Sequence, residues 1–207
     1  MAIYLKGALG AFSGKVGNLI GSKWRSIDYM RSRPRPTKRV ASQKQLEARA
    51  KLEYANEFLS PLRDFIKLSY PVKAGSKHSA FDKLVSNVMG LIEGSYPNHS
   101  LRYEEIEFSK GPLSPVRGNF ENKKDGILTL AWEPRTSVGT AEKNDIIYAI
   151  LYHCESQDHY VSQGAERSDG IFEIDEIPTG TFHTWTMASN YDISKFSNST
   201  YHRIVLL

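Results

Sequence analysis

Six cations, Arg25, Arg31, Arg33, Arg35, Lys38 and Arg39, are interleaved with Trp24 and Tyr29 near the start of the chain. A strip that stacks bases and neutralises phosphates needs this combination of planar aromatics and cations. With Lys15 and Lys23 just upstream, the candidate residues for an assembly or polyanion contact are Lys15, Lys23, Trp24, Arg25, Tyr29, Arg31, Arg33 and Arg35. No helix-turn-helix, zinc-finger, RNP or KH signature accompanies them, so any nucleic-acid contact would rest on charge and stacking.

Other chemistry-bearing clusters are weaker. His153-Cys154 with His159 is the nearest thing to a metal set, but neighbours on a strand point to opposite faces and no zinc spacing such as CxxC or HxxxH occurs. Gly14-Lys15-Val16-Gly17 lacks the spacing and the Ser or Thr of a phosphate-binding loop. Glu104, Glu105 and Glu107 alternate as a solvated strand edge does, and no GxSxG elbow marks a nucleophile. The sequence therefore offers no catalytic residue, metal or cofactor, and no small-molecule substrate is indicated.

The elements that must carry the basic strip come next. Gly14, Gly17 and Gly21 interrupt Val16, Leu19 and Ile20, and such glycines in a strand mark a bulge or a close approach by another backbone. After a turn at Arg25-Ser26, Ile27, Tyr29, Arg31 and Arg33 alternate with Asp28, Met30 and Ser32, which predicts a β-hairpin over residues 14–33. A lone hairpin is marginal in water, so it must pair with more structure or with another chain. Pro34 and Pro36 then enforce an extended Arg-Pro strap.

Ser42 with Gln45 predicts a helix start, and Ala48, Leu52, Ala55, Leu59, Leu62 and Ile66 form one apolar stripe, widened by Phe58 and Phe65. Helix is expected from about 42 to 69 with a break near Pro61. A second helix begins at Ser79, capped by Asp82, with Phe81, Leu84, Val85, Val88, Leu91 and Ile92 on one side until Gly94 and Pro97 stop it. From residue 100 the period becomes two. Strands are expected at 103–109, 126–133, 145–153, 159–163, 170–177, 182–190 and 199–206, which predicts an antiparallel β-sandwich. The expected organisation is α+β, with a hairpin arm over 1–40, a helical hairpin over 41–98 and a sandwich over 99–207.

Composition agrees with a folded chain: 207 residues, 40% hydrophobic and 24% charged. No apolar run reaches the roughly 18 residues of a membrane helix, and the start lacks a signal-peptide pattern, so the expectation is a product of the cytoplasm with no membrane partner. The single Cys154 excludes an internal disulfide framework. Residues 1–40 hold nine Lys or Arg against one acid, Asp28, a local charge of +8; the whole chain carries +4, so the remainder carries −4.

Trp132, Tyr148 and Tyr152, with Ile174 to Ile177 and Pro178 leading into Phe182, Thr184, Thr186, Ala188 and Asn190, resemble a fibronectin type III or immunoglobulin-like domain. Phe182 stands where that family's tyrosine corner needs a hydroxyl. The whole layout is similar to an uncharacterised bacterial family, through Ser13 to Gly17, Tyr29 to Pro34, Gln45 with Arg49, and Phe196 to Tyr201. The N-terminal third also resembles small phage-type structural proteins. These likenesses imply no activity. The expected function is a non-enzymatic structural subunit that self-associates through its arm into a filament, tube or virion-like particle, the helices serving as scaffold and the sandwich as an outward module. The alternative is a nucleic-acid or polyanion-binding protein using the same arm.

Overall fold

The computed structural model describes residues 3–4, 10–25, 27–35, 40–72, 76–123, 127–134, 139–175 and 177–206. The chain divides into two compact units, residues 1–42 and 43–207. Of the arm's cations, Lys6, Lys38 and Arg39 lie outside the described residues, as does Pro36 of the strap.

The first unit is one antiparallel sheet rather than a single hairpin. Strands β1 (Ile3–Tyr4), β2 (Phe12–Val16), β3 (Leu19–Trp24) and β4 (Ile27–Ser32) follow one another in the order β1-β2-β3-β4. The expected hairpin corresponds to β3 and β4, joined through Arg25 at φ 55°. The added strand pair arises because Gly17 adopts φ 57° in a two-residue loop between the paired Val16 and Leu19, a geometry in which glycine carries no steric penalty. Gly21 serves a different purpose: a Cβ there would collide with the Phe12 carbonyl oxygen and stand 2.7 Å from its ring. That is the close backbone approach its position predicts.

In the second unit, α1 (Gln43–Leu59) draws on a run of good helix formers without Gly or Pro. Pro61 then sits at the head of a 3₁₀ turn, Ser60–Leu62, before α2 (Arg63–Ser69), so the helix breaks where expected. Helix α3 (Ala80–Gly90) opens with a reciprocal capping box: Asp82 N–H donates to Ser79 Oγ at 3.1 Å and Ser79 N–H donates to Asp82 Oδ2 at 3.0 Å. It stops earlier than its apolar spacing suggests. Ile92 belongs to a small hairpin, β5 (Ile92–Ser95) with β6 (Asn98–Leu101), in which Gly94 takes φ 80° and Ile92 pairs with Leu101.

The expected strand at 103–109 is absent. Tyr103–Glu105 forms a 3₁₀ turn, and the following segment is held by serine side chains: Phe108 N–H donates to Ser199 Oγ at 3.1 Å, and Ser109 Oγ donates to the Ser197 carbonyl at 2.8 Å. Ile106 and Phe108 are nonetheless buried while Glu104, Glu105 and Glu107 face water, which is why the stretch imitates period two. The remaining six expected strands are present as β8 to β13, and β7 (Gly118–Lys123) supplies the seventh. One sheet has the order β11-β8-β7, built from β8 (Ile127–Trp132) and β11 (Ile171–Ile174); the other has the order β10-β9-β12-β13, built from β9 (Ile146–His153), β10 (His159–Glu166), β12 (Gly180–Ser189) and β13 (Thr200–Leu206).

Strand β9 explains why residues 43–207 form one unit. Tyr148, Ile150 and Tyr152 share a core with Phe58, Leu59, Ile66 and Val88 of the helices, whereas Ala149 and Leu151 pack with Leu128 and Phe182 between the sheets. A strand buried on both faces reads as a continuous apolar run, as Ile146 to Leu151 does. The helices therefore cover the outer face of the four-stranded sheet, and the expected boundary at residue 98 falls inside this shared core.

Candidate functional site

The register of the N-terminal sheet sorts the predicted contact residues. Lys15 opposes Ile20, which opposes Arg31; Ser22 opposes Tyr29; Trp24 opposes Ile27. Because directly opposed residues share a face, Lys15, Trp24, Tyr29 and Arg31 lie on one face with Ile20 and Ile27. Lys23 lies on the other face, opposite Asp28, with Val16, Leu19 and Met30. Arg25 sits in the loop, its guanidinium carbon 5.3 Å from the Trp24 ring centroid, near enough for a cation–π contact. Arg33 donates its backbone N–H to the Asn18 carbonyl at 2.7 Å, one step past β4, and both Arg33 and Arg35 are exposed.

Among its described residues this sheet forms no core of its own. Trp24 is 44% exposed, Tyr29 43%, Ile27 55% and Met30 66%. Among the described residues 10–35, Gly21 alone is buried. One face thus presents aromatics between cations, and the reverse face presents aliphatics.

The weaker clusters have plain structural places. Lys15 stands within a strand, not in a loop before a helix. His159 opposes Tyr152 on the helix-facing side of its sheet, whereas His153 opposes Phe182 and faces the other way, so the two histidines do not converge. His153 instead braces the β9–β10 turn: Ser156 donates to its Nδ1 from the hydroxyl at 2.8 Å and from the backbone N–H at 3.4 Å, and its Nε2 lies 2.9 Å from Glu155 Oε2 and 3.2 Å from the Thr179 carbonyl oxygen. Glu155 also accepts the Thr181 N–H at 3.0 Å, tying the turn to β12. Glu105 pairs with Arg102 and Glu107 with Lys110, so these acids are spoken for at the surface.

One constellation escaped the sequence analysis. Tyr54 and Phe58, four apart on α1, meet Tyr103, Tyr152, His159 and His183 over one end of the four-stranded sheet. Phe58, Tyr152 and His159 are mutually packed, with ring centroids 4.8–5.1 Å apart. Tyr103 stacks on His183 at 3.9 Å and on Tyr152 at 5.5 Å. Burial pushes the Tyr103 and Tyr152 phenols up and holds the His183 and His202 imidazoles down. Only the four-residue spacing on α1 hinted at it, because the remaining members come from a 3₁₀ turn and from strands brought together by the fold.

His159 gives this cluster a measurable signature. Burial lowers its pKa to about 4, outweighing the opposite pull of the Asp158 carboxylate. Below about pH 6.5 the unfolded chain takes up a proton at this ring that the folded protein refuses, so stability falls as pH drops from about 6.5 to about 4. Replacing His159 with Phe, which keeps a ring in place, is expected to flatten that part of the pH dependence. Denaturant midpoints at several pH values would show it; equal slopes in both proteins would contradict the assignment.

No curated protein matches the chain. Among solved structures, the chicken CNTN1 FN1-FN3 domains are similar at TM-score 0.38 and 12% identity, covering 47% of this chain and 34% of that one. The fibronectin type-III domain of human fibronectin type III domain containing protein 3 is similar at TM-score 0.35 and 14% identity, covering 47% and 88%. A computationally redesigned β-sandwich protein is similar at TM-score 0.35 and 12% identity, covering 45% and 90%. A family model matches far more of the chain, residues 11–201. On that match the chain belongs to a family of unknown function (DUF6266).

Proposed function

We propose that the protein is a non-enzymatic assembly subunit whose N-terminal sheet engages neighbouring copies of itself. The observation that carries this reading is a four-stranded sheet with apolar side chains exposed on both faces and, among its residues described from 10 to 35, Gly21 alone buried. Sheets gain stability by burying a face, and a second copy is a partner of suitable charge, since residues 1–40 carry +8 and the rest −4. Contact between unlike surfaces repeats from copy to copy and gives a ring when it closes or a filament when it does not. Strand β4, at the sheet edge, is exposed along its whole length and adds a route for main-chain pairing.

The second reading, polyanion binding, draws on the same face, where Trp24 and Tyr29 stand with Lys15 and Arg31. Light scattering and negative-stain imaging of the full chain, of a version starting at Val40 and of a Trp24→Ser, Tyr29→Ser double variant test the first reading. Regular particles or filaments are expected from the full chain alone. If all three remain monomeric at low and high salt, self-assembly is wrong, and a salt titration with a single-stranded oligonucleotide decides the second reading, since such binding must weaken steeply with salt.

A further inference from the structure

Beside the trio of Phe58, Tyr152 and His159 lies a cavity of about 80 Å³, completed by Tyr54, Glu57 and Gln157. It is far smaller than the roughly 300–1,000 Å³ of pockets that take drug-sized ligands, so only a small head group enters. Its walls are unusual in kind. Four of the six lining residues are aromatic rings, and the charged one is an acid.

Rings present electron-rich faces, and a cation set against such faces is attracted to them, more so when water is excluded. The Glu57 carboxylate at the rim adds a full negative charge, and Asp158 lies close enough to act on His159. His159 itself is neutral near pH 7, so it does not repel a cation. Its ring nitrogens are shielded from solvent and have no hydrogen-bond partner among the described residues, so the ring offers the cavity its aromatic surface rather than a polar contact. An anion would be repelled by the Glu57 carboxylate, and a neutral apolar group would gain nothing from it.

We propose that this cavity is a binding site for a small organic cation, an alkylated ammonium or guanidinium head. The proposal is independent of whether the protein assembles. Either a free ammonium compound or a basic side chain of another polypeptide supplies that chemistry.

Nuclear magnetic resonance titration of the full-length protein with tetramethylammonium chloride, at fixed ionic strength and pH 7, tests it. Saturable binding is expected, with shifts at the Tyr54, Tyr152 and His159 rings. Glu57→Gln, on the exposed side of α1, should weaken binding about fivefold or more through loss of the facing charge, while its circular dichroism remains that of the parent. The neutral isostere 2,2-dimethylpropan-1-ol should bind more weakly than the cation. Methylguanidinium measured alongside separates the sources: preference for it points to an arginine side chain, and preference for tetramethylammonium to a methylated amine. Equal binding by the neutral isostere, an unchanged affinity in Glu57→Gln, or the absence of saturation would each overturn the proposal.

Discussion

Replacing Asp145 with Ala is expected to destabilise residues 43–207 by about 3–5 kcal/mol, the cost typical of removing one partner from a buried ion pair. Asp145 and Arg167 have side chains only 1% and 4% exposed, and Arg167 Nε donates to Asp145 Oδ2 at 3.0 Å. The pair is the centre of a wider set of bonds. Arg167 Nη2 donates to the Ser114 carbonyl at 2.8 Å, Trp132 Nε1 donates to the Arg167 carbonyl at 2.9 Å, and Glu142 N–H donates to Asp145 Oδ2 at 3.1 Å. Together they join the end of β8, the head of β9, the 3₁₀ turn after β10 and the segment before β7.

Without the carboxylate, a guanidinium that cannot lose its proton is left buried with its Nε unpaired. Urea unfolding followed by tryptophan fluorescence measures the loss, and a change under about 1 kcal/mol would mean that water reaches Arg167 readily. The double variant Asp145→Ala, Arg167→Met is expected to recover part of the stability, because two apolar groups leave no buried charge behind.

Trp185→Ala is expected to cost about 3–5 kcal/mol as well, through a cavity rather than a charge. Trp185 is fully buried where the four-stranded sheet meets the helices, with ring centroids 4.8 Å from Phe108, 5.8 Å from Tyr201 and 6.5 Å from Phe58. Its loss removes the largest fully buried side chain of the core shared by helices and sheet. Trp185→Phe is expected to be far milder. The indole Nε1–H has no acceptor among the described residues, and removing an unpaired buried donor relieves a penalty of about 1–3 kcal/mol that offsets the lost area. Comparing the two urea midpoints decides the matter; a Phe variant as damaged as the Ala variant would show that the Nε1–H is in fact satisfied.

The candidate contact face was half legible in the sequence. Period two predicted that Tyr29 and Arg31 share a face, because alternation along one strand is a local property. It could not place Lys15 and Trp24 beside them or send Lys23 to the reverse side, since that follows from how β2, β3 and β4 pair. The aromatic cavity was not legible, for its walls come from α1, β9, β10 and the turn between those strands.

By itself the sequence determined whatever short-range rules control: the sheet-forming glycine-rich arm, the break of the first helix at Pro61, the Ser79–Asp82 capping box, and the six strands of the sandwich whose apolar residues alternate or run together. Each depends on steric limits and hydrogen bonds reaching no more than a few residues along the chain. Tertiary structure alone decided that residues 103–109 are held by serine hydroxyls instead of a strand ladder, that Gly118–Lys123 joins a sheet, and that His153 and His159 face apart. It also decided that the helices close over the four-stranded sheet, because a face of Tyr148, Ile150, Tyr152 and Trp185 can be buried only by elements distant in sequence.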